Sequence, residues 1–298
     1  MASSFVLRSP PFAPLKRPTR VLVTGAAGRI GSYFAQQSHE RYQLTLMVLG
    51  NEKPESIERL RPLGKVVTAD LSDLGRLKQI CRGGGGGIDV VLHLAGYASA
   101  EAKWVDLLRT NIMGTYNIFA AALAAGCRRV VYASSIHAVS GYPEDIQVKT
   151  GEPVNPGDMY GVSKVFGEGL ARYMAQQEGV SAICLRIGGF QPPANAKAAA
   201  GIGLLDTFVS DRDLNQLIEK SIDDLSLQFA IFHGISDNRF KRFDISDARE
   251  LLGYSPRDDV TQMHPDLIPL HLRDAVMKHN FAAGGMASGM RDELDDEG

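Results

Sequence analysis

Cysteine is scarce in this chain. The three present among 298 residues, Cys81, Cys127 and Cys184, are odd in number and show no CxxC spacing. That excludes a disulfide framework and a zinc site, no other metal centre is expected, and a reducing, cytoplasmic setting fits. An excess of one charge is lacking too: 32 Lys and Arg stand against 34 acidic residues. No overall field draws the chain to nucleic acid or to an anionic membrane, so neither is expected as a partner and any anionic ligand must be held locally. No apolar run approaches the roughly 18 residues that span a bilayer. The opening MASSFVLRSPPFAPLKRPTR carries Ser, Pro and four basic residues without an acid, and has no continuous apolar stretch of the secretory type. Residues 1–19 therefore read as a flexible N-terminal arm. Internal repeats are absent.

What is present is a rhythm of short apolar runs: RVLVT at 20–24, LTLMVL at 44–49, KVVT at 65–68, IDVVLHL at 88–94, RVVYA at 129–133 and AICLRI at 182–187. Helical patterns separate most of them, which implies right-handed βαβ crossovers and a parallel sheet covered on both faces. The expected fold is α/β, a doubly wound (Rossmann) sheet over 20–188 followed by a small C-terminal substrate lobe over 189–272. In that lobe helices are expected near 211–222 and 245–252, with a strand near 228–232. Residues 273–298, Gly-rich and then acidic, read as a disordered tail. Gly83–Gly87, five consecutive glycines before a strand, read as a flexible connector.

TGAAGRIG at 24–31 sets Gly25, Gly28 and Gly31 at GxxGxxG spacing between the first strand and a helix. A turn of this kind lets a pyrophosphate reach the backbone, and the helix N-terminus offers it unpaired N–H groups. With strand before and helix after, it points to dinucleotide binding. NAD is the expected cofactor, with NADP left open. The second strand ends in Leu49, Gly50 and Asn51, none of them an acid for the ribose hydroxyls; Glu52 reaches that position only if its loop folds back. Arg29, inside the turn, is placed to meet a 2′-phosphate. Asp70, after the third strand, either contacts adenine or caps the next turn.

MYGVSKVFGEG at 159–169 stacks Tyr160 and Lys164, four apart, on one helix face. Bringing a phenol from a pKa near 10 to a useful base at pH 7 takes roughly 3 units, or about 4 kcal/mol. An ammonium about 4 Å away supplies about 1 kcal/mol in water and about 4 kcal/mol at an effective dielectric of 20, so the pair must be partly dehydrated. Gly161, Gly167 and Gly169 each weaken such a helix by up to about 1 kcal/mol, and close packing would explain them. Ser134 and Ser135 end a strand at the ligand-binding edge of the sheet. Ser135 is the choice for a hydroxyl that holds a substrate oxygen, with Ser134 capping the next segment. His137 is either a substrate contact or a structural loop residue. Asn111, mid-helix where Asn is disfavoured, either holds a water for proton relay or lies in solvent.

TGAAGRIG, HLAG, TNIMGT, ASS and YGVSK, in this order, resemble the extended short-chain dehydrogenase/reductase superfamily over nearly residues 20–260. SSIHAV, MYGVSK, LRIG, FVSDRD, GISDN and LGYSP are similar to the branch of uronate dehydrogenases and archaeal NAD-dependent glucose-6-phosphate dehydrogenases. The resemblance implies oxidation of C1 of a cyclic sugar, sugar acid or sugar phosphate to a lactone. It makes Tyr160 the base, Lys164 the holder of the nicotinamide ribose, Ser135 the oxygen holder and Asn111 the support of the relay. It assigns Gly25, Gly28, Arg29, Ile30, Gly31, Asp70, Leu71, Leu94, Ala95, Gly96 and Lys164 to the cofactor, and Ser135, Ile136, His137 and Gly189 to a small sugar. A homo-oligomer is implied as well. The departures from uronate dehydrogenases fall on the substrate side: Ile136 for Asn, Gly189 for Ser, Ala98 for a polar residue, and Gly203 or a neighbour for the carboxylate-binding arginine. The basic cluster Arg239, Lys241 and Arg242 is the alternative anion holder. Two other readings share these motifs, a nucleotide-sugar epimerase with tightly bound NAD and a dinucleotide-sensing regulator without catalysis.

Overall fold

A strand that is apolar on successive residues must be covered on both faces. Val21, Leu22 and Val23 are all fully buried. The computed structural model, which describes residues 6–8, 10, 12–83, 86–197 and 203–268, gathers such runs into one sheet. Its first half comprises β1 (Leu7–Arg8), β2 (Arg20–Thr24), α1 (Arg29–Ser38), β3 (Gln43–Val48), α2 (Pro54–Leu60), β4 (Lys65–Thr68), α3 (Leu74–Arg82) and β5 (Val90–His93). A short α4 (Trp104–Asp106) runs through a π-helical stretch, Leu107–Gly114, into α5 (Thr115–Ala125). Then come β6 (Arg129–Ser135), α6 (Met159–Gln177), β7 (Ser181–Ile187), β8 (Gly189–Phe190), α7 (Pro193–Ala196), β9 (Phe208–Val209), α8 (Asp211–Asp223), β10 (Leu227–Gly234), α9 (Ser246–Leu252) and α10 (Val260–Met263).

The order across the main sheet is β1-β10-β7-β6-β5-β2-β3-β4, parallel throughout except for β1 against β10. The chain reverses direction across the sheet between β2 and β5, and a crevice opens beyond the strand ends at such a point. Phe34 of α1 and Leu214, Leu217 and Ile218 of α8 cover one face, while Leu77 of α3, Ile118 of α5 and Ala171 of α6 cover the other.

Two expectations about organisation are corrected. The strand expected in a second lobe is β10, and it joins the main sheet beside β7, with α8 as the crossover between them. Its residues Phe229 to Gly234 are buried, so both faces had to be covered and only the large sheet offers that. A boundary at residue 188 therefore does not separate two cores; what lies outside the sheet is the β8–β9 pair with α7, α9 and α10. The described residues of the arm expected over 1–19 are also tied down. Leu7 and Arg8 pair with β10, Phe12 N–H donates to Leu225 O at 2.8 Å, and Arg17 grips the Asp89 carboxylate at 2.7 and 2.8 Å. The tail at 273–298 and Gly84–Gly85 of the glycine connector lie outside the described residues. Among the described residues, no helix is long and apolar enough to cross a membrane.

Helix α6 explains its own glycines. A Cβ at Gly161 would collide with the carbonyl of His137, and one at Gly167 with the Tyr132 ring, so both are where the helix presses on β6 and the segment after it. Gly169 faces out, with nothing within 4 Å of an added Cβ. Gly167→Ala is therefore expected to destabilise by about 1–3 kcal/mol through overpacking, while Gly169→Ala stabilises by about 0.5–1 kcal/mol. Urea denaturation of the two variants checks this, and equal effects would contradict the packing explanation.

Candidate active site

The first turn is built for a phosphate. Gly25 adopts φ +67°, open to glycine, and its missing Cβ lets Ala95 N approach to 3.0 Å of where that atom would stand. A Cβ at Gly31 would strike Gly25 O, so the helix starts hard against the turn. Gly28 is the N-cap of α1; no side chain caps the helix and no acid stands in its first turn. The amides at this end are therefore open to an anion, with the helix dipole favouring it. Thr24 ties in the HLAG segment: its Oγ1 accepts from Leu94 N and Ala95 N at 3.1 Å each and pairs with His93 Nδ1 at 2.8 Å. Gly96 follows, where a Cβ would lie 3.1 Å from Asn111 Oδ1 and 3.6 Å from Lys164 Nζ. Glycine cradle, uncapped helix and adjoining cleft together fit a dinucleotide.

Asp70 is a turn-former as well as a neighbour of that cradle. Its Oδ1 accepts from Ser72 N and Oγ at 2.8 Å and its Oδ2 from Arg109 at 2.9 Å. The hydrogen bonds from Ser72 hold its carboxyl below the usual range, with Arg109 adding to them. Leu71 is buried, and its carbonyl accepts from Asn117 at 2.8 Å. Arg29 is exposed and reaches Gln191 Oε1 at 3.4 Å, towards the substrate side, while Ile30 packs on the core.

Beyond the cradle lies a cleft of about 560 Å³ lined by Ser135, Ile136, His137, Tyr160, Lys164 and Gly189 together with Gly25, Gly28, Gly31, Leu94 and Gly96. Most of the sequence-predicted residues thus line one cleft, while Asn111, Asp70, Leu71 and Ala95 do not. Tyr160 is 8% exposed, and the His137 ring meets it edge-on at 5.3 Å. Lys164 Nζ donates to Ala133 O at 2.8 Å and lies 5.5 Å from the Tyr160 ring centroid. Burial pulls the Lys164 ammonium down to about 8, partly offset by Glu168 one turn on. Burial also raises Tyr160, against a lowering by the Ser135 hydroxyl, and Asp158 adds to the rise. The expectation that Lys164, in a partly dehydrated pair and together with a nicotinamide cation, lowers the pKa of this phenol does not hold for the lysine's share in the protein by itself. The ammonium is spent on a carbonyl and sits by the ring, and dehydration disfavours the phenolate more than any neighbour favours it.

Asn111 is 1% exposed, so the solvent-facing alternative is excluded. Its Nδ2 donates to Tyr97 O at 3.0 Å and Ser163 Oγ at 2.9 Å, and its Oδ1 accepts from Tyr97 N at 2.7 Å. The wide π-helical turn carries it there in place of the regular helix expected. Successive strand residues face opposite ways, and Ser134 turns to Glu168 Oε1 at 2.6 Å, while Ser135 Oγ accepts from His137 N at 3.2 Å. The capping expected of Ser134 is thus performed by Ser135. His137 Nδ1 pairs with Asp158 Oδ2 at 2.6 Å, and the other oxygen of Asp158 caps α6 through Gly161 N at 2.7 Å. At Gly189 a Cβ would lie 2.7 Å from Leu204 Cδ2. The basic cluster is used elsewhere in two of its three members: Lys241 pairs with Asp237 at 3.0 Å and Arg242 donates to Tyr142 O.

Sequence reasoning missed Thr24, Asp158, Ser163, Glu168 and Arg186. Two had visible signs, Asp158 as an N-cap before a helix and Glu168 one turn beyond Lys164. The others depend on long-range packing.

A glycine-cradled crevice at a strand-order reversal, opening onto Ser, Tyr and Lys, defines a short-chain dehydrogenase/reductase-type Rossmann protein. The chain belongs to the NAD dependent epimerase/dehydratase family, whose profile matches residues 21–197. It is 33% identical over 258 residues to an NAD-dependent glucose-6-phosphate dehydrogenase of Haloferax volcanii, covering 80% of this chain and 93% of that one. An L-arabinose 1-dehydrogenase (NAD(P)(+)) of the same organism is 29% identical over 262 residues, covering 80% and 97%. The crystal structure of uronate dehydrogenase from Agrobacterium tumefaciens superposes with a TM-score of 0.72 at 30% identity, covering 88% of this chain and 91% of that one.

Burying Lys164 charged has a pH signature. Its folded pKa, about 8, lies below the model-peptide value of 10.5, so between them the unfolded chain binds more protons and stability rises with pH. At pH 7 the ammonium costs up to about 3 kcal/mol. Lys164→Met is expected to be more stable than the parent at pH 7 by about 1–3 kcal/mol, with the difference closing above about pH 10. Urea melts across pH test this; a variant less stable at pH 7 would refute it.

Proposed function

We propose that this protein is an NAD-dependent dehydrogenase that oxidises C1 of a cyclic sugar to a lactone. The observation that carries the proposal is the convergence of Ser135, Tyr160 and Lys164 in the cleft that begins at the Gly25–Gly31 cradle. In this reading Ser135 donates a hydrogen bond to the C1 oxygen, and Tyr160 takes the proton from its hydroxyl. Lys164 holds the nicotinamide ribose, with Asn111 fixing the Gly96–Tyr97 turn against α6. NAD, when bound, supplies the hydride acceptor and a positive ring that favours the phenolate. The high pKa of Tyr160 without that ring supports a phenol that becomes a base only in the complex. Dry walls strengthen each of these electrostatic effects.

The substrate side favours a neutral sugar. Ala98, Ile136, Phe190 and Leu204 supply apolar wall there, with His137, Gln191 and Thr207 as polar groups. Among the described residues lining the cleft, the only Lys or Arg are Lys164, at the cofactor end, and Arg29, which reaches towards Gln191 through a single nitrogen. A carboxylate or phosphate would want a bidentate arginine, and the carboxylate beside His137 belongs to Asp158.

The same reading includes a homodimer in a reducing cytoplasm. The three thiols are free and buried, which suits that compartment. Trp104, Val105, Leu108, Met113 and Tyr116 before and in α5, with Met159, Val162, Phe166 and Tyr173 on α6, stand exposed on neighbouring helices. These side chains are 38–64% exposed, and a stable partner contact, at ~800 Å² per subunit, would enlist polar residues around them as well. The expected result in light scattering is twice the chain mass, and Phe166→Glu should shift it to one.

Steady-state assays with neutral aldoses, uronates and sugar phosphates, following the reduced cofactor, test the chemistry. A neutral aldose is expected to give the highest kcat/KM, and Tyr160→Phe to lower kcat by about 10²–10⁴ while leaving NAD affinity, measured by fluorescence, unchanged. Accumulation of NADH in solution separates this activity from epimerisation. Faster turnover of a charged sugar would displace the neutral-substrate reading.

A further inference from the structure

A parallel sheet covered by helices is expected to be apolar on both faces, and at one corner this sheet is not. Alternate residues of a strand share a face. Leu22 of β2 and Met47 of β3 lie in the core that Leu77 of α3 covers, and Val67 of β4 packs against it. On that same face the starts of the three strands carry Arg20, Gln43, Thr45 and Lys65. These are neighbours across the sheet, Arg20 in register with Gln43 and Thr45 with Lys65. The helix above them is polar at the same place, because Arg76 and Gln79 stand three apart on one side of α3.

These six residues line a pocket of about 310 Å³. No Asp or Glu is among its described lining residues. Arg20 is anchored, with Nε and Nη2 donating to Asp89 at 3.3 and 3.2 Å, and Arg17 grips the same carboxylate at 2.7 and 2.8 Å, so two cations share one acid. Lys65 and Arg76 are exposed, and among the described residues neither has a carboxylate partner. The guanidinium of Arg76 makes only long contacts, from Nε to Thr68 O at 3.4 Å and from Nη1 to Gln79 Oε1 at 3.5 Å. Solvation would account for charges on the outer side of a helix. It does not account for four polar side chains on a sheet face that α3 is placed to cover, in a chain whose net charge is only −2.

The pocket is remote from the cleft. Arg20 opens β2 and Thr24 ends it beside the cradle, and four residues at ~3.3 Å each put about 13 Å between them. The two cavities share no described lining residue. We propose that this pocket is a second ligand site, which takes a small organic phosphate. Lys65 and Arg76 hold the phosphate group, as a point charge and as a planar fork that matches its oxygens. Gln43, Thr45 and Gln79 donate hydrogen bonds to it, and Val67 and Ile80 face the organic body. The volume is at the lower end of that of small-molecule sites and exceeds what a bare phosphate fills. The assignment is independent of the dehydrogenase reading.

Isothermal titration of the purified full-length chain with phenyl phosphate, a monoester without a sugar C1 to oxidise, tests it at physiological ionic strength. Saturable binding with a Kd below about 1 mM is expected, with inorganic phosphate at least about threefold weaker. Lys65→Gln combined with Arg76→Gln should weaken phenyl phosphate at least about tenfold. Both side chains are exposed, so the fold is kept, and a urea melt of the double variant checks that. Removing two charges elsewhere, by Lys149→Gln with Arg239→Gln, should leave the affinity within about twofold. The assignment is overturned by a parent that shows no saturable binding, by equal affinity for inorganic phosphate, by binding retained in the Lys65 and Arg76 variant, or by an equal loss in the control pair.

Discussion

The rest of the site depends on keeping one ammonium dry. Lys164 is 6% exposed and gives a hydrogen bond to a strand carbonyl, Ala133 O, at 2.8 Å. A charge so placed is expensive unless its surroundings are rigid and polar where they touch it. Rigidity comes from α6 lying against β6, which requires Gly161 beneath His137 O and Gly167 beneath the Tyr132 ring. A larger residue at either place would lift the helix, and with it Tyr160 and Lys164 together. The glycines in this helix thus serve position rather than propensity. Gly169, free of contacts within the chain, is outside that account.

A second buried charge group braces the same helix from below. Glu168 receives Arg186 Nε and Nη2 at 2.8 Å each and the Ser134 hydroxyl at 2.6 Å, with Arg186 fully buried. Such a bidentate pair adds little net stability over an apolar replacement, but losing one partner costs about 3–5 kcal/mol. What it secures is register: α6, β6 and β7 are locked one turn away from Lys164. The Glu168 charge also offsets part of the burial penalty on that lysine. Asp158 does the corresponding work at the start of the helix, capping it and holding His137 at once.

Much of this was legible in the sequence because the decisive spacings are local. Gly25, Gly28 and Gly31 span one turn between a strand and a helix, and Tyr160 and Lys164 span one helical turn, so period alone brings each set together. The apolar runs announced the strands of the parallel sheet for the same reason. Where reasoning fell short, distance along the chain is the cause. Asn111 meets Tyr97 and Ser163 only because a π-helical stretch redirects it, and nothing in TNIMGT marks that widening. Strand β10 was read as part of a second lobe because its place in the sheet is set by a pairing with β7, 47 residues earlier, as Phe229 with Ala182 illustrates. Propensity cannot report which edge a strand will join. The lowering of the Tyr160 pKa by Lys164 was overestimated because a stacked pair was taken as a charge contact, whereas the ammonium is turned to the backbone.

The Tyr160 result changes where the driving force for proton removal must be sought. Neither the helix nor the lysine makes the phenol acidic in the protein alone, since dehydration of Tyr160 outweighs the Ser135 hydroxyl. In the proposed reaction the base would be completed by a cation in the cleft, and the protein's own contribution would be a low-dielectric wall in which that cation counts. A charge interaction worth about 1 kcal/mol in water rises to about 4 kcal/mol at an effective dielectric of 20 over the same 4 Å. Apolar groups at Ile136, Phe190 and Leu204 lower the dielectric further on the side that a sugar would close. In the proposed reaction the apolar wall and proton removal by Tyr160 are therefore linked: polar substitutions there would alter the base as well as the pocket, because both depend on how little water remains beside the phenol.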